Sequence, residues 1–275
     1  MEESETQRYI GFIDLLGFSN FVLDNSFHVV KKQYDAILKT ATLLVTKRPL
    51  LKRREDKIFA EGDPSNLSIN IAIFSDTLIL WTNDLDPRSF RRLLFHVKNF
   101  IIYGVTADCP VRCSISIGNL DVKHESTRGE FAHIQTQIIG NSLVRAANLE
   151  KIQNWSGCII DPEAITYYDK SIESKPFPDS IKMTFITGEP IVLKYPVPIS
   201  RNGENIREDY PVINWPNGIR EEIPAKVIED SFKKYHSTIT DNVQEKIDNT
   251  LQFYSEVRGW TGIETLPDEG YYIEK

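Results

Sequence analysis

The chain has 275 residues, 41% hydrophobic and 26% charged, the fractions of a folded globular protein and not of a disordered one. Lys and Arg number 32 against 39 Asp and Glu, a net charge of −7. That excludes a protein whose main work is coating nucleic acid, but leaves room for a small basic pocket.

Taken in order, Arg8–Ile13 reads as a buried strand ending at Asp14, and the following LLGFS reads as a turn into a helix. Val30, Tyr34, Ile37, Leu38, Ala41, Leu44 and Val45 recur at helical spacing over residues 27–46. The charged stretch 47–66 is expected to be a loop or insertion. Two β-rich runs, 67–74 and 77–82, flank Ser75-Asp76 and predict a tightly turned hairpin. Asp86 as N-cap and Pro87 at the first helical position open a helix that runs to about Tyr103. Residues 111–117 alternate into a strand ended by Gly118, a polar loop spans 119–136, and a helix covers 141–152. GCIID reads as a short strand. The order β-α-α-β-β-α-β-α-β predicts an α+β fold, a ferredoxin-like antiparallel sheet with helices. Beyond it, two strands are expected within 180–197 around Gly188, loops over 198–223, and helices near 224–235 and 239–257. The expected division is a main unit, 1–198, and a C-terminal loop and helical extension, 199–275, packed on the same body.

Cys109, Cys113 and Cys158 cannot make an even disulfide set and read as reduced thiols. With no second ligand pair beside them, a zinc site is not expected. The acidic start MEESETQ is unlike a signal peptide, and no apolar run approaches the ~18 residues of a membrane span. A cytoplasmic location is expected, with neither membrane nor nucleic acid as a partner.

Asp14 ends an apolar strand and Asp76 sits in a hairpin turn. If those strands are neighbours, both carboxylates reach one sheet edge and suit a hard cation such as Mg²⁺ or Mn²⁺. Asp is also common at strand ends and in turns for structural reasons alone. Gly17 permits a tight turn, after which the amides of Gly17, Phe18 and Ser19 point at one spot and suit phosphate.

Four stretches in order resemble the class III nucleotidyl cyclase family over about residues 8–165. They are Phe12-Ile13-Asp14-Leu15-Leu16-Gly17-Phe18-Ser19; Phe74-Ser75-Asp76; Val111-Arg112-Cys113-Ser114-Ile115-Ser116-Ile117-Gly118; and Gly140-Asn141-Ser142-Leu143-Val144-Arg145-Ala146-Ala147-Asn148-Leu149-Glu150. The resemblance implies a nucleoside triphosphate substrate and two divalent cations, Mn²⁺ or Mg²⁺. Asp14, Asp76 and the carbonyl of Leu15 would hold them, with Gly17, Phe18 and Ser19 on the phosphates. The family's transition-state Asn falls on Val144, and its Arg falls on Asn148. Arg145, three residues before Asn148, shares a helix face with it and is the expected catalytic cation, with Asn148 as polar companion. The family's adenine-reading Lys and Asp fall on Ala72 and Gln137, and Gln137 retains one donor and one acceptor. This combination resembles the bacterial pyrimidine cyclases of the Pycsar anti-phage systems. It implies UTP or CTP as substrate, a cyclic pyrimidine monophosphate that reaches a downstream effector, and a homodimer with composite sites. Lys182 or Lys194 is a further expected phosphate contact. The alternative reading is a catalytically degenerate nucleotide-sensing domain of the same fold, motivated by Val144. An RNA-binding or scaffold module would need a basic and aromatic sheet face, which these aliphatic strands do not supply.

Overall fold

The structure, a computed structural model, describes residues 6–54, 57–107, 109–128, 132–173, 189–219, 222–234 and 239–259. Along the chain run β1 (Gln7–Leu15), α1 (Phe18–Asp24), α2 (Phe27–Val45), β2 (Leu50–Arg54), β3 (Lys57–Glu61), β4 (Asn70–Phe74), β5 (Thr77–Trp81), α3 (Pro87–Thr106) and β6 (Val111–Asn119). There follow β7 (Asp121–Arg128), β8 (Ala132–Ile139), α4 (Asn141–Ile152), β9 (Cys158–Ile160), α5 (Pro162–Glu173), β10 (Val192–Arg201), β11 (Glu204–Ile213), α6 (Ala225–Lys233) and α7 (Asp241–Gly259).

One seven-stranded sheet has the order β10-β11-β9-β6-β1-β5-β4. Within it, β6-β1-β5-β4 are antiparallel neighbours. This is the 4-1-3-2 order of a ferredoxin-like βαββαβ unit, as the element order predicted. β9 adds in parallel to β6, and the β10–β11 hairpin extends the sheet from β9.

Alternation along β1 sorts the two faces. Tyr9, Ile13 and Leu15 enter the large core with Ala41 and Val45 of α2 and Phe90, Leu93, Leu94, Val97 and Ile101 of α3. α3 lies so close that a Cβ on Gly11 would stand 3.1 Å from both Leu93 and Val97. Ile10 turns the other way, into a smaller cluster with Ile79, Trp81, Leu120 and Ala146. α4 covers that face through serines of β6: Ser114 Oγ donates to the Ala146 carbonyl and Ser116 Oγ to that of Ser142, both at 2.6 Å. The C-terminal helix is tied in by aromatics. Phe253 of α7 sits 4.6 Å from Trp155 and 4.7 Å from Tyr195, ring centre to ring centre, and Thr250 Oγ1 accepts from the Ser156 amide at 2.9 Å.

Several segments differ from the expectations above. Residues 47–66, expected as a loop or insertion, form an excursion that contains the β2–β3 hairpin, and the expected loop 119–136 contains β7 and the start of β8. β2–β3 and β7–β8 are two-stranded sheets apart from the main one, so the apolar alternation of a main-sheet strand is weak in them, although Val122 and Ile138 of the β7–β8 ribbon pack against the smaller cluster. Residues 204–213, expected as loop, form β11, whose charged first half is mostly exposed. The expected 198/199 boundary falls inside β10. α5 follows directly on the expected GCIID strand and was not foreseen. The expected strand over IKMTFI lies outside the described residues.

A buried histidine joins α2 to α3. His96 Nδ1–H donates to the Leu44 carbonyl at 2.8 Å, satisfying one of the free carbonyls at the end of α2, and Nε2 lies 2.6 Å from Ser68 Oγ. Burial, helped by the charge of Arg92, pushes its pKa down to about 4. The unfolded chain takes up this proton near pH 6.5, so the neutral ring stabilises the fold above that pH and the contribution is lost as pH falls toward 4. The whole effect is about 3 kcal/mol. Urea unfolding at pH 7 and pH 4.5 should show this loss in the native chain, with a smaller pH dependence in His96→Gln.

Candidate active site

The end of β1 brings the two predicted carboxylates together. Asp14 is paired laterally with Thr77 on β5 and Arg112 on β6. The β4–β5 turn is two residues long, as predicted, with Ser75 at φ 54° and Phe74 opposite Thr77. The turn is pinned to β1, because the Leu15 amide donates to the Asp76 carbonyl at 3.0 Å. Asp14 and Asp76 therefore share one end of the sheet.

Two further charged residues complete this end. Arg112 Nη2 lies 3.7 Å from Asp14 Oδ2, its Nε pairs with Glu150, and Nη1 donates to the Gln153 carbonyl at 2.9 Å. The Glu150 side chain is only 8% exposed. Burial, reinforced by Glu150 and Asp76 and opposed by Arg112, pushes the Asp14 carboxyl up to about 7. Burial also raises Glu150, again with Arg112 opposing. Arg112 and Glu150 stand within the quoted motifs, but the motifs alone assign them no role. The available signal was a charged residue where the pattern is buried: an Arg in an apolar strand, and a Glu four residues after Ala146 and eight after Ser142, which both face the sheet.

Gly17 is left-handed, at φ 78° and ψ 4°, and starts α1 without a side-chain cap. The first intrahelical bond runs from the Phe21 amide to the Gly17 carbonyl, so the amides of Phe18 and Ser19 lie ahead of it, among those a helix start leaves unpaired. The Phe18 ring is anchored against Tyr34 and Phe21, while Ser19 is exposed. Leu15 buries its side chain in the main core.

Arg145 and Asn148 lie on the exposed side of α4, and Val144 is 60% exposed. Arg145 pairs with Glu163 at the start of α5 and lies 3.7 Å from Asp161. Within one chain it is thus held away from Asp14 and Asp76. Ala72 packs at the margin of the smaller cluster with Val122 and Ile138. Gln137 alternates with Ile138 and faces the other side of the β7–β8 ribbon. Lys194 is paired with Asp209 at 3.3 Å, and Lys182 lies outside the described residues.

The donor set at the sheet end fits a hard divalent cation. Its carboxylates are crowded, and the groups acting on Asp14 set two negative charges against one guanidinium. Among the described residues no three His, Cys, Asp or Glu are grouped to hold a metal. Asp14 and Asp76 alone match the way Mg²⁺ is held, by one or two carboxylates with the remaining positions left to water and substrate phosphates. No helix of the described residues is long and apolar enough to cross a membrane.

No family model matches the chain, and no curated protein sequence matches it. Similar solved structures include a bacterial light-regulated adenylyl cyclase, at 10% identity and TM-score 0.45, covering 84% of this chain and 57% of that one. The chain thus spans little more than half of that protein's length. The guanylyl cyclase Cya2 shares 10% identity at TM-score 0.41, covering 75% of this chain and 90% of that one. A dimeric guanylyl cyclase domain of the RhoGC fusion protein from the aquatic fungus Blastocladiella emersonii shares 12% identity at TM-score 0.42, covering 75% and 96%. At such identities and scores these likenesses carry no inference about activity.

Proposed function

We propose that this chain is a nucleotide cyclase that converts a pyrimidine nucleoside triphosphate, UTP ahead of CTP, to its 3′,5′-cyclic monophosphate and pyrophosphate. The observation that carries this reading is the meeting of Asp14 and Asp76 at one sheet end, beside the left-handed Gly17 that opens α1. The motif order in the sequence supports the same assignment. Two Mn²⁺ or Mg²⁺ ions would be held by Asp14, Asp76 and the Leu15 carbonyl. Such ions acidify the ribose 3′-hydroxyl and offset phosphate charge. The amides at Gly17, Phe18 and Ser19 hold the departing phosphates. Arg145 neutralises charge growing on the α-phosphate, with Asn148 beside it. Because Arg145 is held away from the carboxylates of its own chain, the working unit is a homodimer in which each site draws Arg145 from the other copy. Ala72 offers no donor to a purine ring, and Gln137 offers an amide in place of a carboxylate, which disfavours adenine. The cyclic product would act as a messenger to an effector in anti-phage defence.

Incubating the protein with Mn²⁺ and UTP, CTP, ATP or GTP, and identifying products by mass spectrometry, tests this directly. Cyclic UMP as the main product is the expected result. A preference for CTP corrects the base alone, and a preference for ATP or GTP overturns the pyrimidine assignment. The pairing of Arg145 with Glu163 and the exposed apolar Val144 favour one other reading, a nucleotide-sensing domain that binds triphosphate without releasing pyrophosphate. Pyrophosphate release by the native chain separates the two, and Arg145→Ala then tests the role of the cation. Removing a preorganised donor should cut turnover by ~10²–10³, whereas Val144→Ala should change it little. Equal, mild effects would return Arg145 to an ordinary surface ion pair.

A further inference from the structure

At the other end of the β4–β5 hairpin from Asp76 lies a cavity of about 160 Å³. Its wall includes Lys47, Ser68, Asn70, Asn83, Ser89 and Arg92, and none of the candidate active-site residues. Asn70 begins β4 and pairs with Trp81, four residues from Phe74. At ~3.3 Å per residue that is roughly 13 Å from the turn holding Asp76. The volume is more than ten times the ~10–15 Å³ that one water needs.

The wall presents two cations, Lys47 and Arg92, several polar groups and one carboxylate, that of Asp84. Lys31 and Lys52, cations of the neighbouring α2 and β2, are neutralised by Asp35 and Glu61. Among the described residues Lys47 and Arg92 have no carboxylate partner. Arg92 makes one bond, from Nη1 to the Ser68 carbonyl at 3.3 Å, out of the five donors a guanidinium carries. The acidic group in the wall, Asp84, has Oδ1 occupied by the Asp86 amide at 3.0 Å. Asn83 Oδ1 accepts from Asn70 Nδ2 at 2.7 Å, so the Asn83 NH₂ group remains as a donor.

From this arrangement we infer that the cavity binds a small phosphate group, free or on a small organic compound, between Lys47 and Arg92. A planar carboxylate is satisfied by one guanidinium fork. Two separate cations with an amide donor suit a tetrahedral dianion that accepts from several directions. The bound group would also join two parts of the fold. Lys47 starts the 47–66 excursion, whose base is closed by its amide on the Asn66 carbonyl at 2.9 Å, and Arg92 belongs to α3. This site does not depend on the cyclase reading.

Titration calorimetry of the full chain, in metal-free buffer at fixed ionic strength, tests it with inorganic phosphate and glycerol 2-phosphate as probes. One saturable site per chain is expected. Lys47→Ala and Arg92→Ala, both at exposed side chains, should each weaken binding about tenfold or more, while Asp14→Ala leaves it unchanged. Tighter binding of glycerol 2-phosphate identifies a phosphorylated compound as the ligand class, and equal or tighter binding of phosphate identifies the free ion. No saturable binding of either probe by ~10 mM, binding that survives both substitutions, or binding lost in Asp14→Ala would overturn the proposal.

Discussion

Asp14→Asn and Asp76→Asn are each expected to lower cyclase turnover by at least ~10³ while the fold is retained. The physical reason is local charge. Asp14 is carried to the end of an antiparallel strand between Thr77 and Arg112, and burial with Glu150 and Asp76 nearby pushes its carboxyl up to about 7. A carboxylate held in that way destabilises the chain unless a cation shares the site. The sign follows from linkage. An acid whose folded pKa lies above its unfolded value, 3.8 for Asp, withdraws stability as pH rises from there through about 7. In metal-free buffer at pH 8, Asp14→Asn should therefore melt at an equal or higher temperature than the native chain, although it turns over no substrate. Pyrophosphate release and thermal melting, measured on the same preparations, check both halves. Near-normal release from either folded variant would remove that residue from the metal assignment. A lower melting temperature for Asp14→Asn would show that the carboxylate is structural.

Arg112→Met is expected to destabilise the chain by about 3 kcal/mol, the cost of leaving one member of a buried ion pair alone. Arg112 is 17% exposed at its side chain and Glu150 8%, and the guanidinium also bonds the Gln153 carbonyl just past α4. Without it, Glu150 has burial acting on it and less to oppose it, so its pKa rises further above that of an unfolded glutamate. The loss should thus be largest at pH 8 and shrink as pH falls toward 4.5, where Glu150 takes up a proton in both states. Arg112→Met with Glu150→Gln should recover part of the loss, because no uncompensated charge remains. Urea unfolding of the native chain, the single variant and the double variant at pH 8 and pH 5 measures this. A single variant whose loss is independent of pH would show that Arg112 acts through packing alone.

Much of the site's position is legible in the amino-acid sequence. The apolar run to Asp14, the left-handed opening that Gly17 allows and the two residues between paired β runs are local signals, set by backbone sterics and side-chain alternation within a few residues. Arg112 and Glu150 are visible there as residues but not as a pair. Their meeting depends on a strand and a helix 38 positions apart being docked through Ser114 and Ser116. The β2–β3 and β7–β8 ribbons escape such reading because neither joins the main sheet, so the period of a main-sheet strand is weak in their composition.

The sequence by itself determined the order of strands β1, β4, β5, β6 and β9 with helices α1 to α4, the main hairpin, and the two aspartates with the glycine turn between strand and helix. These follow from interactions between near neighbours in the chain. The tertiary structure alone decided that Arg145 is tied to Glu163 and Asp161 and that Lys47 and Arg92 line one cavity. Each of those relations joins distant segments through packing of the sheet and its helices. Helical spacing or strand alternation places a side chain on a face, but says nothing of which distant charge meets it there.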